Sequence, residues 1–432
     1  MFEKTIQRYA NILHLRFQPT FAAMPAATLN KISPGSFPKR LLKINLYTLG
    51  RLIPNIFSLS QKNEDLHSKT WLYVVSQNNY DALHFLKDQL TGTAFVAGQN
   101  KQIGRYNKQV NRLSLRWKFL HTARYFLPVF FGLYKKHGNK AIRFFDLIFI
   151  SIGYYEAYLK HLKKYQPKAI VFANDHNDDS RAMLLAANKL NIPTVYIQHA
   201  TVSTAFPPLE FRLSLLEGQD ALDKYRQCGP VQGKVKLIGM PKADKFMQFR
   251  NFKTMVKKVG IAGNLMDNYE ALKATILQLV KQFPELQFTF RPHPGDARDF
   301  SFVQQTGQNA MFSSPKSEGA FEFLKNQDLI VAAESSIHLE AALLNIPGIY
   351  FRFGASNFYD YYGFVKTGLI TEAATLEALF ALVQQYQQTK PNVYQKAAYY
   401  NATIGTENEG KSDALAVQYL QEFLQKMLSF PA

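Results

Sequence analysis

The chain has 432 residues, enough for two or three domains with full cores, and an apolar content of 47%, ordinary for a soluble globular protein. A formal charge of +19 asks for an anionic partner, whether nucleic acid, membrane surface or charged substrate. No apolar run approaches the roughly 20 residues that span a bilayer, Glu3, Lys4 and Arg8 do not make the start of a signal peptide, and the single cysteine, Cys228, excludes an internal disulfide and fits a reducing cytosol.

Residues 1–65 read as a helical, basic lead-in interrupted by Pro25, Pro34, Pro38 and Pro54. Within it, Lys39, Arg40, Lys43 and Arg51 mix with Leu41, Leu42, Leu46, Leu49, Leu52 and Ile53, a composition that suits a membrane surface and equally an arm packed on the next domain. A first strand is expected over 71–75, a helix from Asp81, and a short strand over 94–97 ending at Gly98. Between Asp88 and Asp146 there is no acidic residue, while Lys101, Arg105, Lys108, Arg112, Arg116, Lys118, Arg124, Lys135, Lys136, Lys140 and Arg143 interleave with Trp117, Tyr125, Phe130 and Phe131. That basic region is expected to form one or two helices, and 145–165 another.

From residue 169 the alternation is regular, with strands at 169–173, 194–197, 213–216 and 234–238 and a helix at 180–190. Strand, helix, strand implies a parallel sheet with right-handed crossovers. Gly239-Met240-Pro241-Lys242-Ala243-Asp244 breaks the pattern, which places a first Rossmann-like domain at 66–245 and a second at 246–432. The second holds strands at 259–262, 286–291, 328–333 and 348–351, helices at 268–283, 337–345, 376–388 and 413–428, and a last helix free to cross back.

Residues 286–296 read Leu-Gln-Phe-Thr-Phe-Arg-Pro-His-Pro-Gly-Asp. The strand must end at Arg291, because Pro292 has no amide for a ladder. Prolines on both sides of His293 fix φ and present the imidazole with little backbone entropy left to lose on binding. Arg291 offers a planar fork of donors and His293 one or two more, the inventory suited to phosphate oxygens; a surface turn with both merely solvated is the alternative. The second motif, Glu334-Ser335-Ser336-Ile337-His338-Leu339-Glu340, runs from an apolar strand through two serines into a helix, converging hydroxyls and free amides on one point. Glu340 lies one turn beyond Ser336, where a carboxylate can accept from a diol such as a ribose; alternatively Ser336 is an N-cap and Glu340 is solvated. Asn264, in the turn after strand 259–262, is taken with them as a donor-binding residue. A nucleotide diphosphate or monophosphate sugar has the matching parts.

The Arg291-Pro292-His293-Pro294 loop with Ser335-Ser336 and Glu340 resembles the donor half of glycosyltransferases of the GT-B fold, two facing Rossmann-like domains. It is most similar to bacterial capsule and lipopolysaccharide transferases, including those using CMP-sialic acid or CMP-Kdo, in which a His-Pro pair and a Ser-Ser or Ser-Thr pair contact the donor phosphate. The similarity extends to Gln198-His199, to Gly239-Met240-Pro241-Lys242 with Asp244, and to Gly410-Lys411-Ser412; CDP-glycerol glycerophosphotransferases share the last two in looser form. It covers roughly residues 168–428. The resemblance implies an α/β GT-B enzyme with a basic helical N-terminal region, independent of metals, whose nucleotide-sugar donor is a substrate and not a cofactor. It also implies a lipid-linked or polysaccharide acceptor and no nucleic acid; the basic region from Lys101 to Arg143 is expected to hold that anionic glycan or the lipid surface bearing it, as peripheral contact on the inner face of a membrane. The Asp-Asp-Gly or Glu-Asp-Gly triplet that carries the acceptor base in sialyltransferase-like members is absent. The substitutes are Asp175, His176 and His199 at strand ends of the first domain, any of which can take a proton at neutral pH. Asp178 and Asp179 are instead suited to capping the next helix, and the spacing of these acids and His176 matches no metal site. Three rivals remain: polyol phosphate transfer from CDP-glycerol, a sugar-nucleotide 2-epimerase, which leaves the basic region without a role, and a non-catalytic polyanion binder, which gives Ser335, Ser336 and Glu340 none.

Overall fold

The structure is a computed structural model that describes residues 2–355 and 358–429. The chain divides into two compact units, the first made of Met1–Glu217, Ala221–Ile238 and Asp413–Ala432, the second of Gly218–Asp220 and Gly239–Ser412. The break at Gly239 precedes the residue 245 set from the sequence, and the 1–65 segment and the last helix both group with the first unit.

The first unit is built on seven strands: β1 (Thr70–Tyr73), β2 (Thr93–Gly98), β3 (Asn111–Leu113), β4 (Ala169–Phe172), β5 (Thr194–Ile197), β6 (Leu213–Leu216) and β7 (Lys234–Leu237). They are hydrogen-bonded in the order β3-β2-β1-β4-β5-β6-β7, with every pairing parallel. Helices cover both faces, so the inner strands are apolar on both sides. Trp71 and Tyr73 point into one layer and Leu72 and Val74 into the other, as strand alternation requires. The helix Ser412–Ser429 sends Ala416, Val417, Leu420 and Phe423 into that second layer.

Two expectations fail here. The basic region is not only helical: a 3-10 turn (Gly104–Gln109) and strand β3 precede the helices Lys118–His137 and Asn139–Arg143. The polar residues of β3 hid the strand because their side chains are satisfied internally. Asn111 donates to the Phe95 carbonyl at 2.9 Å, and Arg112 donates to Asn107 Oδ1 at 2.6 Å. The expected helix over 145–165 is broken into Phe145–Ser151 and Tyr154–Tyr165 at Gly153, whose φ of 90° no L residue adopts readily.

The second unit holds β8 (Lys258–Ala262), β9 (Gln287–Arg291), β10 (Ala310–Phe312), β11 (Leu329–Ala332), β12 (Gly348–Phe351) and β13 (Thr371–Ala373), ordered β10-β9-β8-β11-β12-β13 and again all parallel. In each sheet the chain starts at an inner strand, winds outward, and returns to the other side of its starting strand. That is the doubly wound Rossmann-like order, and it puts a switch point between β1 and β4 and another between β8 and β11, where such sheets bind ligands at their carboxyl ends.

Candidate functional site

In the second unit the candidate donor residues lie on three adjacent strand ends. Ala262 of β8 pairs with Arg291 of β9 on one side and with Ala332 of β11 on the other. The His293 loop and the Ser335–Ser336 loop therefore leave the sheet two strand spacings apart, about 10 Å, with the Gly263–Asn264 turn between them. That turn is tied to both neighbours: Gly263 N donates to the Arg291 carbonyl at 2.9 Å, and Asn264 Nδ2 donates to the Glu334 carbonyl.

His293 is exposed at the tip of its loop, and its Nδ1 accepts from Gly295 N at 3.0 Å. Partial burial pulls its pKa below the ordinary histidine value, against an opposing pull from Asp296. A neutral ring with Nδ1 occupied as acceptor carries its proton on Nε2, so the group on offer is an N–H donor and not a fixed cation. Ser335 Oγ accepts from Ile337 N at 3.3 Å, and Ser336 opens the short helix Ile337–Leu343 without capping it. The N-cap alternative for the Ser336 hydroxyl therefore does not hold.

Arg291 and Glu340 are placed differently from the expectation. The Arg291 guanidinium is buried and donates to Ser313 Oγ at 2.9 Å and to the Glu318 carbonyl at 2.7 Å. With its fork committed, Arg291 braces the loop after β10. Glu340 is also buried, and Lys242 Nζ pairs with its Oε1 at 2.6 Å. Arg298, which sequence reasoning passed over, ties the site together: it donates to the carbonyls of Asp267 at 2.7 Å and Asn264 at 3.0 Å and pairs with Asp296 at 2.6 Å. Nothing local distinguishes it from a solvated loop arginine. On the β10 side of the His293 loop a pocket of about 400 Å³ opens, with Pro292, Pro294, Phe300, Phe312 and Pro315 as apolar walls and Gln304, Ser314 and Lys316 among its polar residues.

In the first unit, Asp175 and His176 leave β4 and His199 leaves β5. Asp175 is buried; its Oδ1 lies 2.9 Å from His176 Nδ1, and its Oδ2 accepts from the Tyr225 hydroxyl at 2.6 Å. Burial alone would raise the Asp175 pKa, but the contacts with His176 and Tyr225 outweigh it and hold the carboxylate ionised. The carboxylate accepts from Nδ1, which orients the ring and leaves Nε2 outside that contact. The ring lies 4.4 Å from the Phe206 ring. The helix Gln77–Gln89, which follows β1, supplies Asn79, whose Nδ2 is 3.3 Å from His199 Nε2. Tyr225 was not legible in sequence, since it is 50 residues from its partner.

Asp178 and Asp179 do not cap their helix; Asn177 does, accepting from Asp179 N at 3.0 Å. Asp179 instead accepts from the hydroxyls of Tyr73 and Tyr158 and lies 3.2 Å from Lys101 Nζ, while Asp178 accepts from Ser151 at 2.6 Å. Both are structural anchors. Among the described residues no group of His, Cys, Asp and Glu is arranged to hold a metal ion. Part of the basic region is likewise spent inside: Arg112 and Lys118 are buried, and Arg143 donates to Ser33 Oγ at 2.8 Å.

No family model matches this sequence, and no curated protein matches it either. Solved structures do. A Listeria monocytogenes protein assigned as a UDP-N-acetylglucosamine 2-epimerase aligns with a TM-score of 0.55 at 9% identity over 83% of this chain and 97% of its own. The UDP-GlcNAc 2-epimerase of Neisseria meningitidis, bound to UDP-GlcNAc, aligns at 0.50 and 13% over 82% and 100%, and the wall teichoic acid polymerase TagF at 0.50 and 13% over 91% and 98%. At identities this low the likeness is one of fold: the chain is built as two Rossmann-like α/β domains of the GT-B type.

Proposed function

We propose that the chain is a glycosyltransferase that moves a sugar from a nucleotide-sugar donor, a CMP-linked acidic sugar being the first to test, onto a surface polysaccharide or glycolipid. The observation that carries this reading is the framed edge of the second unit, where the His293 loop and the serine pair flank Asn264 at the switch point. His293 Nε2–H and the hydroxyls of Ser335 and Ser336 donate to the departing phosphate. A charge-assisted bond of this kind contributes about 1.5 to 3 kcal/mol. The pocket beside Pro292 and Pro294 accommodates the base. His176, oriented by Asp175, takes the proton of the acceptor hydroxyl as its oxygen bonds to the anomeric carbon and the nucleotide leaves with the electron pair of the broken C–O bond. His199 assists from the next strand. The exposed cations of the basic region attract the anionic acceptor, and the enzyme works in the cytoplasm against the inner face of a membrane.

Donor turnover by His293→Ala tests this. Loss of one preorganised donor to the leaving phosphate lowers kcat by about 100-fold, with the melting temperature of the free protein unchanged. Turnover at the parental rate removes His293 from the mechanism. The product separates the rivals: phosphorus retained in the acceptor means polyol phosphate transfer, and a donor epimer formed without acceptor means an epimerase.

A further inference from the structure

We infer that residues 37–57, together with the helix Lys118–His137 packed beside them, form a docking face for an anionic lipid bilayer. Residues 37–57 are one continuous helical run, Phe37–Tyr47, Thr48–Leu52 and Ile53–Phe57. Leu42, Leu46, Leu49, Ile53 and Ile56 are all exposed, Leu46 and Leu49 at 62% and 66%, and Phe57 ends the row at 81%. Steps of four, three, four and three residues put the first five on one stripe. Single exposed apolar side chains are ordinary, but a continuous stripe marks a surface that is covered in use.

The helix is also inverted relative to a surface helix of a globular domain. Three of its polar groups point inward: Arg40 is buried and donates to the Pro34 and Gly35 carbonyls, Lys43 pairs with buried Asp146 at 2.7 Å, and Asn55 is buried. These anchors fix the leucine stripe outward. The neighbouring helix repeats the arrangement. Lys118 is fully buried, with Nζ donating to the Ile150 carbonyl at 2.5 Å, while Leu120, Leu127 and Phe131 are exposed. The two elements meet around Phe149, which packs edge-on against Tyr47 on one side and Phe126 on the other.

Charge selects the occupant. There is no acidic residue between Glu3 and Glu64 or between Asp88 and Asp146, and Lys39, Arg51, Arg124, Lys135 and Lys136 are exposed on the same two elements. A second copy docked through this face would bring like charges together, and a nucleic acid has no use for a leucine stripe. A bilayer with anionic headgroups satisfies both features, acyl chains taking the leucines and phosphates the cations. Among the described residues no helix is long and apolar enough to cross a membrane, so the face lies in the interface. The inference stands on this surface alone, and its test reads no turnover.

The test is flotation of the full-length protein with phosphatidylcholine vesicles, with and without equimolar phosphatidylglycerol. Binding is expected only with phosphatidylglycerol, weakening as salt rises from about 0.1 M to about 1 M and the Debye length falls from about 10 Å to about 3 Å. The triple variant Leu42→Ser/Leu46→Ser/Leu49→Ser loses at least about tenfold in binding, and Arg124→Gln/Lys135→Gln/Lys136→Gln about fivefold per cation removed. Both sets are exposed and leave the melting temperature unchanged. Parental vesicle binding by the serine variant, equal binding to neutral vesicles, or a dimer in light scattering that the serine variant dissolves would each overturn the inference.

Discussion

Burial pushes the Asp267 carboxyl up to about 7, although Asn264 N donates to it at 2.6 Å and Arg298 lies close; Asp296 and Glu334 add to the rise. Its unfolded value is near 3.9. Below that value both states hold the proton and the group is neutral toward stability. Between about 4 and 7 only the folded state holds it, so stability falls as pH rises, and above 7 the full cost of a buried carboxylate is present. Asp267→Asn keeps an acceptor for the Asn264 amide and removes the titration. Its stability relative to the parent should therefore climb from pH 5 to pH 8, by up to about 2.7 kcal/mol for the two units between 5 and 7 at 1.36 kcal/mol per unit, in denaturant midpoints across that range. Parallel pH profiles for the two proteins would mean that the carboxyl is not raised. At this scale the sequence showed which residue types gather but not their employment. The strand-end positions of His293 and the serine pair were legible because proline geometry and strand-to-helix transitions are local. The internal partners of Arg291, Ser313 and the Glu318 carbonyl, were not legible, since they lie 22 and 27 residues away.

Among the elements, the turn at Gly239 shows how two separate sequence motifs become one piece of structure. Ser412 Oγ donates to Asp244 Oδ1 at 2.7 Å, joining the Gly410-Lys411-Ser412 segment to the Gly239–Asp244 segment. Gly239 sits at φ 82°, and a Cβ there would meet Asn401 Oδ1 and Thr403 Oγ1 at 2.7 Å and Ser412 Oγ closer still. Gly239→Ala combines a left-handed backbone with that crowding and should cost about 2 kcal/mol or more. An unchanged denaturant midpoint would mean that the turn relaxes freely. Strands of four or five apolar residues were legible from their composition, as at β4 and β11. The three-residue edge strands β3, β10 and β13 were not, since what makes them strands is a partner's ladder and not their own pattern. Likewise the leucines of 37–57 were visible in the sequence, but not the direction in which they face. That is set by Lys43 reaching Asp146, 103 residues on.

At the scale of the whole chain, alternation of strand and helix implied parallel sheets, but the strand order could not be read from it, because each crossover can pass to either side of the starting strand. The path of the last helix is a further fact of this scale. Leu420 is fully buried in the layer that also holds Val195, Leu213 and Leu215, more than two hundred residues earlier in the chain. The first unit is therefore not closed until the last segment is in place. Both tryptophans belong to that unit; Trp71 is fully buried in the layer on the other side of the sheet from Leu420, and Trp117 precedes the helix Lys118–His137. Their emission reports the first unit alone. Leu420→Ala leaves a cavity that costs about 2 to 5 kcal/mol. If the seven-stranded sheet and both its layers unfold as one, the tryptophan transition must move to lower denaturant with its steepness kept, though the mutated side chain lies in the layer across the sheet from Trp71. The second unit contributes no tryptophan; on the donor-binding reading proposed above, its unfolding is followed separately by nucleotide-induced thermal shift, which the variant should leave intact at temperatures below the new transition. A tryptophan midpoint that stays at the parental value would show that the last helix rests on the first unit without stabilising it.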